Sequence, residues 1–152
     1  MSRIVQTGET PAKKRRAHLR SVAEAIRRLA ERPAVGAGAF DEEAKDLTAF
    51  LVFNLRGIGA AIETSAQAWD DRNYWKKSEK LRADWRWAPQ IADRLEAHAL
   101  AGDWSQVTPV LMELLPHVAD VNIAKAMRDA DWWVGAYRAL VKRAERRAAL
   151  AR

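Results

Sequence analysis

The chain has 152 residues, 49% apolar and 30% charged, with no cysteine and a net charge of +6. That length suits one domain around one core, and that composition is globular, not disordered. Without cysteine there is no disulfide, thiolate metal site or cysteine nucleophile, and no run approaches the roughly 18 uninterrupted apolar residues of a membrane span. The expectation is a cytoplasmic, cofactor-free protein with no membrane partner.

The charge is unevenly spread. Residues 11–28 hold seven basic side chains against one acidic, residues 72–86 six against two, and residues 138–152 six against one. Three basic blocks therefore sit on an acidic background, a pattern suited to an anionic partner.

Residues 1–10 lack an apolar signal core and read as a flexible leading segment. Thr10 and Pro11 then form a helix start, a capping oxygen followed by a residue whose missing N–H costs nothing at the first position. Leu19, Val22, Ile26 and Leu29 recur at helical spacing as a buried stripe, while Lys13, Arg16, Arg20 and Arg27 lie largely off it. Pro33 and the stretch 34–38 predict a loop.

Asp41 predicts the next cap, with Glu42 and Glu43 favoured by the helix dipole and Phe40 placed to staple against the first turns. Leu47, Leu51, Leu55, Ile58, Ile62 and Trp69, widened by Phe50 and Phe53, predict a central helix with several neighbours. Gly57, Gly59 and Ala61 predict close passage of another helix backbone, or a hinge. Residues 70–73 read as a turn or a polar patch within a helix.

Tyr74, Leu81, Trp85, Ala88, Ile91 and Leu95 continue a helical stripe, which Pro89 should kink or split near Trp87. Gly102 and Asp103 predict a helix end and a new cap. Beyond Trp104 the sequence is helical but punctuated. Thr108-Pro109 suggests a restart, Pro116 a bend or end, and residues 122–129 either a short helix or a connection. A last helix is expected from Asp131. The expected fold is all-α, an antiparallel bundle of five or six helices over residues 11–145, with 146–152 as a basic tail.

Chemistry-bearing motifs are sparse. No Glu-x-x-His or His-Glu-x-x-His pattern marks a metal site, and no phosphate loop or nucleophile elbow marks an enzyme. A non-catalytic binding protein is the expectation. Trp69, Trp85, Trp104 and Trp133 are assigned to the core. Adjacent pairs cannot all face inwards, because Trp132 and Trp133 are about 100° apart on a helix.

From Arg72 to Trp87 cations and aromatic rings alternate, a composition that neutralises phosphates and stacks bases. The plainer alternative is a solvated basic face with its aromatics turned to the core. The candidate nucleic-acid contacts are Lys13, Lys14, Arg15, Arg16 and Arg20 in the first helix, and Arg72, Trp75, Lys76, Lys77, Lys80, Arg86 and Trp87 in the second block. Trp132 and Tyr137 are candidate protein-interface anchors. Two readings follow. One is a helical subunit that binds RNA or single-stranded DNA, of the size and charge expected in a ribonucleoprotein or defence complex. The other is a protein-interaction module, including a homo-oligomer.

Overall fold

The computed structural model describes residues 9–151, which form an all-α bundle. Residues 1–8 and 152, and with them most of the expected leading segment, lie outside the described residues. Helix α1 spans Pro11–Ala30; Thr10 Oγ1 accepts the Lys13 N–H at 3.1 Å, and Pro11 fills the first position. The expected loop after it contains one helical turn, α2 (Pro33–Gly36), because the fixed φ of Pro33 preorganises a helix start.

Helix α3 (Glu42–Asp71) is the central member. Asp41 caps it, accepting Ala44 N–H at 2.8 Å. The Phe40 ring lies 5.1 Å from Trp104, across on a later helix. Leu47, Leu51, Leu55 and Ile58 are buried against Val22 and Leu29 of α1 and against the helices that follow. By length and composition α3 would pass for a membrane span, with a mean hydropathy of 1.2 in its most apolar window. Yet 61% of that window is buried inside the bundle, which accounts for the apolarity.

The glycines of α3 correct the expectation of a passing backbone. A Cβ at Gly57 would meet the imidazole of His18, and one at Gly59 would touch the ring of Pro89 at 3.8 Å. Side chains, not main chain, occupy both places, and α3 runs through without a break.

The 70–73 segment is a turn. α3 ends at Asp71, and Asn73 adopts φ 65°, a left-handed conformation that asparagine tolerates. Helix α4 (Trp75–Trp85) follows, and Arg86 separates it from α5 (Trp87–Leu100). The split expected from Pro89 thus falls at Arg86. It leaves Pro89 in the first turn of α5, where its missing N–H breaks no bond.

Gly102, with φ 71°, closes α5, and the Asp103 N–H reaches back to His98 O at 2.9 Å. Helix α6 (Trp104–Val118) contains both Pro109 and Pro116 and is neither restarted nor cut short at them; it ends two residues after the second. Asp103 does not cap it with its side chain, which accepts from Ser105 Oγ instead.

Residues 119–129 contain no helix and form a strap held to α1 by side chains. Glu24 Oε1 accepts the N–H groups of Met127 and Arg128 at 2.8 and 2.9 Å, and Arg20 and Arg27 donate to the carbonyls of Lys125 and Val121. The last helix begins later than Asp131. A single 3₁₀ turn (Ala130–Trp132) and a left-handed Gly135 precede α7 (Ala136–Leu150). Asp46 of α3 supplies the cap that α7 lacks locally, accepting Gly135 N–H at 3.1 Å and Tyr137 N–H at 3.0 Å. Residues 146–150, read from composition as a tail, continue α7.

Nothing within 4 Å crowds a Cβ built on Gly135, whose φ is 82°. Gly135→Ala is therefore expected to cost only the left-handed backbone penalty, about 1–2 kcal/mol. A urea midpoint unchanged from the parent protein would contradict that conformation.

Candidate nucleic-acid interface

The turn between α3 and α4 gathers aromatic rings and cations. Trp69, in the last turn of α3, meets Tyr74 edge-on at 5.6 Å. Lys77 Nζ lies over both rings, 4.6 Å from Trp69 and 5.7 Å from Tyr74, and the Arg72 guanidinium lies 5.8 Å from Trp69. Trp75 is 65% exposed and Tyr74 52%. Lys76 is exposed, and its side chain has no partner among the described residues.

No acidic residue falls between Arg72 and Lys77. The carboxylates just before them are occupied elsewhere: Asp70 accepts Arg82 at 2.8 Å, and Asp71 accepts Gln67 at 3.1 Å. Arg82 also binds Glu63 at 3.0 and 2.7 Å. The hydrogen bonds from Arg82 hold both Asp70 and Glu63 below their ordinary carboxylate pKa. Both stay charged and share the one Arg82 guanidinium, and Asp71 keeps its charge beside a neutral amide, so the four cations Arg72, Lys76, Lys77 and Arg82 exceed the three carboxylates by a single charge.

The other residues proposed from sequence divide into groups. Lys80 pairs with Asp84 at 3.0 Å, while Arg86 is exposed without a side-chain partner among the described residues. Trp87 is half-buried and stacks on His117, with centroids 4.1 Å apart and planes at 8°. In α1, Lys13, Lys14 and Arg16 are exposed, and Arg15 lies 5.2 Å over the Trp85 ring. Trp85 in turn lies 5.8 Å from Trp87. Arg15, Trp85, Trp87 and His117 thus make one file across the ends of α1, α4, α5 and α6.

Two of the proposed residues serve the bundle itself. Arg20 binds Glu24 at 2.9 Å and the Lys125 carbonyl, so it anchors the strap. Tyr137 is half-buried, with its hydroxyl on Ala99 O at 3.2 Å and its ring edge-on to Trp104 at 5.3 Å. Trp132 is 55% exposed, with the Arg128 guanidinium 5.0 Å over its ring. Of the tryptophans assigned to the core, Trp133 is buried, and its Nε1 donates to Glu43; Trp69, Trp85 and Trp104 are partly exposed.

Sequence reasoning missed Trp69 and His117 as members of these clusters. A signal for the second was present. A hairpin closed at Gly102 brings together residues equidistant from it, and Trp87 and His117 are each fifteen positions away. Among the described residues no group of three His, Asp or Glu side chains is placed to hold a metal ion. Comparison with protein-family models, curated proteins and solved structures finds no match.

Proposed function

We propose that the protein is a non-catalytic subunit that binds single-stranded nucleic acid at the α3–α4 corner. The carrying observation is the juxtaposition of Arg72, Lys76 and Lys77, all free of carboxylate partners among the described residues, with the exposed rings of Tyr74 and Trp75. Cations of this kind neutralise phosphates, and exposed rings stack unpaired bases without reading their sequence. Lys14, Arg16 and Arg86 add positive charge that steers the strand.

The test is fluorescence anisotropy of a labelled single-stranded oligonucleotide, titrated at several salt concentrations. Binding should weaken steeply with salt. Changing Arg72, Lys76 and Lys77 together to alanine should reduce the log–log salt slope by about 2, from a contribution of about 0.7 for each phosphate contact on a single strand. Absence of binding at about 50 mM salt, or a variant with the parent slope, would overturn the proposal.

A second reading, a protein-docking surface, is supported by a different observation. Trp132, Val134 and Met127 are all exposed within one short stretch. Trp132→Ala should then raise the dissociation constant of a self-association or partner complex by tenfold or more, within the ~2 kcal/mol range of interface hot spots. A strictly monomeric protein whose behaviour the substitution leaves unchanged would count against it.

A further inference from the structure

The Arg15–Trp85–Trp87–His117 file gives the corner site a second station, and the α4 helix links the two. We infer that the ligand is a single strand of at least about five nucleotides that stacks one base at the Trp75 corner and another on the exposed face of His117. This rests on the nucleic-acid reading proposed above. It adds a ligand class, a strand with unpaired bases long enough to span two stations, and it adds His117 as a base-contacting residue.

Three observations carry it. First, Lys76, Lys80, Ala83 and Trp87 are spaced by four, three and four residues, which places them along one face of a helix. Arg86, between α4 and α5, has helical dihedrals of −59° and −26°, so the stripe continues to Trp87 with little change of direction. A strand following this stripe leaves the corner at Lys76 and arrives at the aromatic file.

Second, the file is open at its far end. Arg15 covers Trp85, Trp85 flanks Trp87, and Trp87 is covered by His117, but His117 is exposed. A ring held nearly parallel to tryptophan, exposed and lining an open groove, is a stacking platform of the kind single strands use. The groove beside it, of about 690 Å³, contains two carboxylates, both occupied. Glu113 binds Arg94 bidentately at 2.6 Å, and Asp93 binds Arg56 at 3.0 Å. Arg86 stands beside the file without a side-chain partner among the described residues, available for a phosphate.

Third, the lengths agree. The eleven residues of α4 rise about 16 Å, which a strand at the stacked spacing of about 3.4 Å covers in about five nucleotides. A shorter oligonucleotide reaches one station only.

The experiment compares labelled oligothymidylates of about three and about twelve nucleotides on the intact protein, at matched salt and matched total phosphate. His117→Ala removes an exposed ring, so folding is not at risk. It should weaken the longer ligand roughly five- to a hundredfold, the worth of one stacked base, and leave the shorter one unchanged. Trp87→Phe, which keeps a ring under the imidazole, should stay near the parent protein. Trp75→Ala should weaken both lengths. If the longer ligand binds His117→Ala as tightly as it binds the parent, the second station is wrong while the corner reading stands. If neither length binds, both readings fall.

Discussion

Glu96→Ala is expected to destabilise the protein by about 3 kcal/mol and to release the last helix before the rest of the bundle. Glu96 is buried on α5 with its side chain 5% exposed, and three arginines from two other helices converge on it. Arg56 of α3 donates to Oε1 through Nε and Nη2 at 3.1 and 2.7 Å; Arg143 and Arg147 of α7 reach Oε1 and Oε2 at 3.0 and 2.6 Å. Removing one partner from a buried ionic cluster costs about 3–5 kcal/mol, because the remaining charges lose their compensation. The low end applies here. Arg56 retains Asp93, and Arg147 is 57% exposed and can turn to water.

The loss should be local because α7 has few other attachments. Leu140 is its one fully buried side chain among the described residues, and the Asp46 cap holds only its first turn. Amide exchange should accelerate over 136–150 well before it does in α1. Uniform acceleration across all helices would contradict a pin specific to α7. Arg147→Ala, by contrast, should cost under about 1 kcal/mol, as exposed ion pairs generally do.

The same cluster sets an acid limit. Burial pushes the Glu96 carboxyl pKa up, but the hydrogen bonds from Arg56 and the charges of Arg56, Arg143 and Arg147 outweigh it and hold the pKa below the usual glutamate value of about 4.5. Glu24 behaves alike; burial raises it, and the Arg128 and Met127 N–H groups and the Arg128 guanidinium bring it below normal. A carboxylate with a lowered folded pKa stabilises fully above its unfolded pKa and loses that contribution as pH falls through the folded value. Thermal melts should therefore be flat near neutrality and begin to fall near about pH 5, as the unfolded glutamates start to take up protons. In Glu96→Gln the fall should be shallower, since one of the carboxylates that drive it is gone while Glu24, Glu63 and Asp70 still titrate.

What could be read from sequence was what local signals carry. The Thr10 and Asp41 caps, the α3 stripe and the end at Gly102 each depend on residues a few positions apart, whereas residues 70–73 left a turn and a polar helical patch both open. The Arg72–Lys77 cluster was legible for the same reason, being contiguous. The start of α7 was not legible, because its cap is Asp46, a residue that reads as one more polar position on α3. The strap was equally hidden, since its order depends on Glu24, more than a hundred residues from the N–H groups that it binds. Arg20 and Tyr137 looked available because their partners, Lys125 O and Ala99 O, are brought to them only by folding. Composition predicts charge and aromatic content; it does not say which cations are already paired.

Gly57→Ala is expected to destabilise by about 2 kcal/mol, although glycine-to-alanine inside an exposed helix ordinarily gains about 1 kcal/mol. The reversal comes from His18. A Cβ at residue 57 would stand 2.4–2.7 Å from three atoms of the imidazole ring. The ring is not free to yield, because His18 Nδ1 and Asn54 Oδ1 share a hydrogen bond of 2.8 Å while Asn54 Nδ2 is committed to Phe50 O. Moving it adds overpacking of about 1–3 kcal/mol and leaves the Asn54 oxygen buried without a donor, a loss of similar size. Together these exceed the helix-propensity gain. Gly59, two positions further along the same helix, is the control. Its Cβ would meet only Pro89 at 3.8 Å, an ordinary contact, so Gly59→Ala should stabilise by up to about 1 kcal/mol. The double substitution His18→Ala with Gly57→Ala should be no less stable than His18→Ala alone, giving a coupling of about 2 kcal/mol between two residues in contact. Urea denaturation of the four proteins of that cycle, with Gly59→Ala alongside, measures the sign directly. A stabilising Gly57→Ala would mean that the His18 ring does not occupy the notch, and that α1 and α3 are packed in a different register.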